Sequence, residues 1–252
     1  MQTIHAENIN NVFFDGYYKN IWRALIPDAL TTAEVDFLIE RAELKPGSRV
    51  LDLMCGYGRH TVALAREGVH VTAIDNLKEY VNEVKDTIEK ENLPANCIQA
   101  DVIEYEPEGI FDVVICLGNN LSFFNQKESR KLFSMIGSHT KEHGLFIANS
   151  WTLAEMVFEN FTPRTWSQVN GFRYLVDNKL YFQPTRIESE MTIIAPDGPE
   201  EMKRAIDYVY SLNEVETLLN DSAFSMQETW SIPGKKKLTL GEPRAYIVAV
   251  KH

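Results

Sequence analysis

The chain is short of cysteine, of positive charge and of long apolar runs, and each shortage narrows what it can be. Its 252 residues hold 3 cysteines, Cys55, Cys97 and Cys116, scattered without a CxxC pair. That excludes a disulfide framework and a cysteine-built structural zinc site, and it suits a reducing cytoplasm, the expected location. Lysine and arginine number 25 against 36 aspartates and glutamates, a formal net charge of −11. A surface of that sign repels phosphate backbones, so no nucleic-acid partner is expected. The basic run Lys235-Lys236-Lys237 follows Pro233-Gly234 and reads as a solvated hairpin tip. No apolar run approaches the roughly 20 residues of a membrane span. The stretch MQTIHAENINNVFFDGYY lacks the basic-then-apolar order of a secretory signal. No membrane partner is expected either.

What is present is an alternation of two periodicities. The runs 49–54, 70–75, 96–101, 111–118 and 144–151 are short and β-rich. Helical patterns separate them, except between the third and fourth, where the link is too short for a clear helix. Strands alternating with helices predict a parallel sheet covered on both faces. From about Thr162 to Ser211 the rhythm becomes strand-like throughout, with turn signals Asn-Gly, Asp-Asn, Gln-Pro and Asp-Gly. That predicts an antiparallel insertion after the fifth strand. A last helix, 211–223, precedes a final hairpin ending in RAYIVAVKH.

The stretch LDLMCGYGRHTVALA, 51–65, carries the chemistry: an apolar run ends at Asp52, turns through Gly56 and Gly58, and resumes at helical spacing. Such a turn holds a nucleotide-like ligand at a helix N-terminus. Against GxGxxG, the third position here is Thr61. Asp52 just before the turn would repel a pyrophosphate, which disfavours a nicotinamide-dependent oxidoreductase, and would suit a ligand with an ammonium and a sulfonium. Asp75 closes the next run, where an acid can accept from two ribose hydroxyls. Asp101 closes the third, where it can accept from an exocyclic adenine amine.

VLDLMCGYGRH, VTAID, CIQAD and FDVVICLGNNLSFF together resemble the class I S-adenosylmethionine-dependent methyltransferases, with Met54 where that family's first motif has a glycine. The resemblance implies a doubly wound, seven-stranded Rossmann-like α/β sheet whose last strand is antiparallel, and S-adenosylmethionine as cofactor. It implies that Asp52, Met54, Cys55, Gly56, Gly58 and Arg59 border the methionine moiety. Asp75 and Asn76 would hold the ribose, Asp101 and Val102 the adenine, and Leu117 and Gly118 would lie beside the sulfonium. The alternatives to a methyltransferase are the NAD(P)-dependent oxidoreductase and a non-catalytic S-adenosylmethionine-binding protein that keeps only the cofactor edge.

After the fourth strand stands GNNLSF, without the [DN]-P-P-[YF] motif of base and glutamine methyltransferases. Asn119 and Asn149 stand where a metal-dependent catechol enzyme would need acids, so no metal is expected. The insertion resembles that of small-molecule N-methyltransferases acting on sugar amines or glycine. The implied organisation is an N-terminal aromatic helical lid (1–34), a cofactor-binding core (35–160 and 211–252) and an acceptor cap (161–210). Tyr18 and Asn119 are the candidate catalytic contacts, and Tyr18 and Arg23 would close over the donor. Tyr17, Asn120, Trp151, Arg164, Tyr174 and Arg186 are candidate acceptor contacts. His60, His139 and His143 are weaker candidates for a general base. The expected acceptor is an amine or hydroxyl of a small metabolite, handled by a monomer or homodimer.

Overall fold

The computed structural model describes residues 8–252. Their contacts form two compact units, one of Asp28–Phe161 with Val209–His252, the other of the described residues up to Pro27 with Thr162–Tyr208. In chain order the elements begin α1 (Tyr18–Leu25), α2 (Asp28–Ala42), β1 (Arg49–Leu53), α3 (Arg59–Arg66), β2 (His70–Asp75), α4 (Lys78–Glu91), β3 (Ala95–Gln99) and β4 (Phe111–Cys116). They continue with α5 (Gln126–His139), β5 (Thr140–Ser150), α6 (Ala154–Asn160), β6 (Arg164–Val169), β7 (Phe172–Phe182), β8 (Thr185–Ile194) and β9 (Glu200–Tyr208). The last are α7 (Leu212–Asn220), β10 (Phe224–Ile232), β11 (Lys236–Lys237) and β12 (Ala245–Lys251).

The larger unit is built on a sheet of order β11-β10-β12-β5-β4-β1-β2-β3. Strands β1 to β5 run parallel, and β12 pairs antiparallel with β5. Its strands are apolar on both sides because both sides are covered. In β4, Val114 and Cys116 enter one core cluster while Val113 and Ile115 enter the other. Local signals set the helix ends. Asn125 with Glu128 and Ser211 with Glu214 form reciprocal capping boxes at the starts of α5 and α7.

Three details differ from expectation. The sheet has eight strands rather than seven, because two lysines of the basic run add β11 to the edge of β10. Lys236 pairs with Glu242, and the Lys237 ammonium lies 3.6 Å from the centre of the Trp230 ring, so the run is held rather than freely solvated. The helix expected to lead up to the fifth run, 144–151, ends at His139. There Thr140 turns extended, its hydroxyl donating to the Ile136 carbonyl at 2.7 Å, and β5 begins, taking His143 with it. Finally, the N-terminal segment expected to end at residue 34 ends at Pro27, since α2 packs into the core through Val35, Phe37 and Leu38. Residues 1–7 of that expected segment lie outside the described residues.

The smaller unit is a meander of order β6-β7-β8-β9. One face is covered: Phe13, Ile21, Met191, Ile193 and Ala205 are buried there, with Tyr18, Phe172 and Tyr174 packed against them. Period-two alternation leaves the intervening residues on the other face exposed.

Phe146, fully buried in β5, packs edge-on against Phe133 at 5.6 Å and at a tilt against Phe224 at 6.2 Å between ring centres. Phe146→Ala is expected to lower unfolding free energy by about 3–5 kcal/mol in denaturant titration, the usual cost of such a cavity.

Candidate functional site

Because β1 to β4 are parallel, the segments after them emerge at one edge of the sheet. Chain order reverses between the neighbours β4 and β1, and open α/β sheets bind ligands in the crevice beside such a reversal. The glycine turn after β1 and the Leu117–Asn120 segment after β4 meet there. The Asn120 amide spans the reversal, donating to the Met54 and Leu117 carbonyls at 3.1 Å each.

Backbone shape explains the turn's residues. Gly58 has φ of 75°, and a Cβ there would lie 2.5 Å from the nearer methyl of Val84, so only glycine lets α4 approach. Met54 itself holds the left-handed conformation, φ 56°, so the bend keeps its shape where a glycine was lacking. The turn is pinned to β2 by Asp75, whose carboxylate accepts from the Gly56 N–H at 2.8 Å and the Leu77 N–H at 2.9 Å. Burial pushes the Asp75 carboxyl up to about 6, against those two N–H groups, and nearby Asp52 adds to the rise. Asp52 is buried in β1 and accepts from the Thr61 hydroxyl at 2.6 Å. Burial pushes its carboxyl up too, opposed by His60, Thr61 and Arg59. Asp101 is exposed after β3 and accepts from the Ile103 N–H at 2.9 Å, beside buried Val102. Asn76 follows Asp75, its carbonyl accepting from Gln99 at 3.2 Å.

Cys55 Sγ lies 3.9 Å from Cys97 Sγ. Contact with Cys97 and burial push the Cys55 thiol up, and burial does the same to Cys116. Both stay neutral thiols and poor nucleophiles.

Sequence reasoning missed the group that organises this edge. Glu34, on α2, is 1% exposed. One of its oxygens takes the Arg59 guanidinium and, at 2.9 Å, His60 Nε2; the other accepts from the Tyr246 hydroxyl at 2.6 Å and the Asn149 amide at 3.4 Å. Burial alone would raise Glu34, but bonds from His60 and Tyr246 and the charge of Arg59 outweigh it and hold the carboxyl down to about 2. Asn149 carries the network onward, its carbonyl accepting the Gly118 and Asn119 N–H groups at 2.7 and 3.1 Å. One signal was available: Glu34 shares a helix face with buried Leu38, at i and i+4, where an acid needs a partner.

Several candidates therefore take other roles. Arg59 is turned to Glu34 and to the Thr31 hydroxyl at 3.2 Å instead of to a ligand. Asn119 was the candidate catalytic amide, yet both its N–H groups are engaged, by Ser122 at 3.0 Å and Thr152 at 2.8 Å. Its carbonyl accepts from Ser150, Trp151 and Thr152, so it fastens the β4 and β5 loops together. Asn120 likewise joins two loops rather than facing an acceptor. Trp151, half-buried at the end of β5, has the Arg244 guanidinium 5.9 Å from its ring centre. Leu117 and Gly118 sit at the reversal, just after β4. His60 is held by Glu34, and His139 and His143 stand at the opposite end of β5 from that edge.

In the smaller unit, Tyr17 lies 5.6 Å from Phe172 and Tyr18 4.5 Å from Phe13, between ring centres. Burial, with Tyr174 and Asp207 nearby, pushes the Tyr18 phenol far up, so it stays protonated. Arg23 is exposed near the end of α1. Arg164 and Arg186 do not join these aromatics. They lie on the opposite face of the meander, paired with Asp177 and Glu188.

Comparison with known proteins agrees with this geometry. Residues 50–144 match the Methyltransferase domain family. A glycine/sarcosine N-methyltransferase of Halorhodospira halochloris is 29% identical over 146 residues, covering 56% of this chain and 54% of that protein, so the match spans about half the relative's length. One of Aphanothece halophytica is 24% identical over 212 residues, covering 82% of this chain and 75% of that protein. Among solved structures, an S-adenosylmethionine-dependent methyltransferase from Clostridium acetobutylicum superposes with a TM-score of 0.80 at 18% identity, covering 93% of this chain and 96% of its own. An amino pentose methyltransferase from Micromonospora echinaspora gives 0.68 at 17%, covering 98% and 100%. At those identities the structures speak to fold. Residues 50–144 thus match a methyltransferase domain, and the chain has the fold of S-adenosylmethionine-dependent methyltransferases of known structure.

Removing the Glu34 carboxylate leaves Arg59 and His60 buried beside no anion. Glu34→Ala is expected to cost about 3–5 kcal/mol of stability at pH 7 by denaturant titration. Because the folded pKa lies below the ordinary 4.5, near 2, this contribution is complete above pH 4.5 and lost as pH falls toward 2. The gap between wild type and variant is therefore expected to narrow across that window.

Proposed function

We propose that this chain transfers a methyl group from S-adenosylmethionine to an amine of a small metabolite. The observation that carries the proposal is the set of carboxylates, Asp52, Asp75 and Asp101, in or just after three parallel strands that flank a two-glycine turn. The Arg59 guanidinium, at the start of α3, is engaged by Glu34. An edge of that charge suits an ammonium and a sulfonium and repels a pyrophosphate. S-adenosylmethionine supplies a methyl group activated by positive sulfur.

The chain's own residues bind and orient. Asp75 takes the ribose hydroxyls, Asp101 the adenine amine, and Leu117 and Gly118 line the reacting end. In-line displacement between groups held at near-attack distance draws most of its acceleration from positioning. No histidine of the larger unit is placed as a base at this edge, so the acceptor enters as the neutral amine. Tyr18, kept protonated by burial, is a hydrogen-bond donor and not a base. The nitrogen acceptors in the names of the glycine/sarcosine relatives and the amino pentose enzyme support an amine over a hydroxyl.

Ribose hydroxyls donate best to an ionised carboxylate. Calorimetric binding of S-adenosylhomocysteine is therefore expected to strengthen as pH rises through about 6, where Asp75 ionises. Asp75→Asn should weaken it about 10–100-fold at pH 7.5, the worth of hydrogen bonds to a charged group, and should remove that pH step. Equal binding by variant and wild type would end the ribose assignment. Labelled methyl donor offered with a panel of small amines tests the transfer itself, and failure on amines with turnover on hydroxyl acceptors would overturn the choice of nitrogen.

A further inference from the structure

Two thiols meet beside the glycine turn, and no step of the proposed transfer uses either. Cys55 belongs to the turn itself and Cys97 to the middle of β3, yet their sulfurs lie 3.9 Å apart and share a hydrogen bond. β2 runs between β1 and β3, and there Cys97 is aligned with Ala73, whose side chain is only a methyl. All three residues share one buried cluster with Val81 and Val84 of α4. Cys116 lies in a separate cluster.

The two sulfurs are not equally free to move. β3 pairs with β2 along its whole length, from Ala95 to Gln99, so Cys97 is fixed. Cys55 lies outside the strands, between Met54 and Gly56, both left-handed with φ of 56°. Two bonds hold its turn to β2: Cys55 N–H to the Ile74 carbonyl at 3.0 Å, and Gly56 N–H to the Asp75 carboxylate at 2.8 Å. A disulfide needs the sulfurs about 1.9 Å closer than they stand. That displacement falls on the turn and strains the bond from Gly56 to Asp75.

We propose that Cys55 and Cys97 are a reversible redox pair, bridged through hydrogen peroxide, and that the bridge weakens the turn's hold on its nucleoside ligand. The second half rests on the ligand reading given above, and the first does not. Peroxide oxidises the Cys55 thiol, the more accessible of the two, to a sulfenic acid and leaves one water. The Cys97 thiol then attacks that sulfur, and its proton leaves with the hydroxyl as a second water. Two thiols have thereby given two electrons to one O–O bond. Charge selects the oxidant: Asp52 and Asp75, close to Cys55, repel an anion such as glutathione disulfide but not a neutral molecule near the size of water. Contact with Cys97, burial and those acids keep the Cys55 thiol neutral, so bridging is slow and the dithiol persists until peroxide accumulates. Transient bridges of this kind, unlike a structural framework, occur in reducing compartments.

The full chain, reduced and then exposed to hydrogen peroxide, is unfolded in alkylating agent and its peptides are mapped by mass spectrometry. A Cys55–Cys97 crosslink is expected, with Cys116 alkylated and dithiothreitol restoring all three thiols. Glutathione disulfide is expected to leave the pair reduced, and equal bridging by it overturns the selection by charge. Calorimetric affinity for S-adenosylhomocysteine is expected to fall about 10–100-fold in the bridged protein, the worth of a hydrogen bond to a charged group, and to recover on reduction. Reciprocity then requires the ligand, at saturation, to shift the bridge toward the dithiol by that same factor in a dithiothreitol redox buffer. Cys97→Ala and Cys97→Ser, with circular dichroism as the folding control, should bind as wild type does and keep that affinity through peroxide. A map without the crosslink overturns the redox pair. A crosslink that leaves affinity untouched, or an equal loss in the Cys97 variants, overturns its control of the turn. Should the reduced chain fail to bind S-adenosylhomocysteine, the ligand reading falls, and the peptide map still decides the pair.

Discussion

A single buried carboxylate holds the ligand edge together. Glu34 collects a guanidinium, an imidazole, a phenol and an amide from α3, β12 and β5, and each of those elements ends or begins at the edge where the loops converge. Removing a charge from water is unfavourable unless its lone pairs are satisfied, and here both oxygens are engaged. The consequence is positional. The first two residues of α3 cannot drift without exposing the acid, and so the bend ahead of them cannot drift either.

From Glu34 the constraint passes through neutral amides. Asn149 hands it to the backbone of Gly118 and Asn119, Asn119 to the end of β5, and Asn120 back to Met54. Asparagine suits this work because it both donates and accepts while adding no charge. Asp52, Asp75 and Asp101 stand in or just after the neighbouring parallel strands β1, β2 and β3. An edge built from amides on one side and carboxylates on the other is consistent with chemistry that depends on placement more than on proton transfer.

Much of this was legible in sequence because its causes are local. Strand runs, the two-glycine bend and the acids beside them are set by neighbours within a few residues, and the meander's turns announced themselves. The Glu34 network was not legible. Its partners lie as many as 212 positions away, and only a folded chain brings them together. Asn119 and Asn120 stood where contacts were expected, but hydrogen-bond saturation is a property of tertiary packing. Arg164 and Arg186 failed for a subtler reason. A two-residue turn at 183–184 pairs Phe182 with Thr185, so even-numbered positions of β7 share a face with odd-numbered positions of β8. The same inversion holds between β6 and β7, where Val169 pairs with Phe172. Tyr174 and the two arginines thus point oppositely, although each reads as an unremarkable strand residue.

That inversion of parity has an evolutionary corollary. Along each strand of the meander, alternate codons answer to separate demands: one set shapes an aromatic lining, the other an exposed surface. Drift in the first can reshape that lining while the outer surface stays unchanged, and drift in the second can alter the surface at no cost to the lining. A short ribbon of sequence so arranged lets two traits diversify independently.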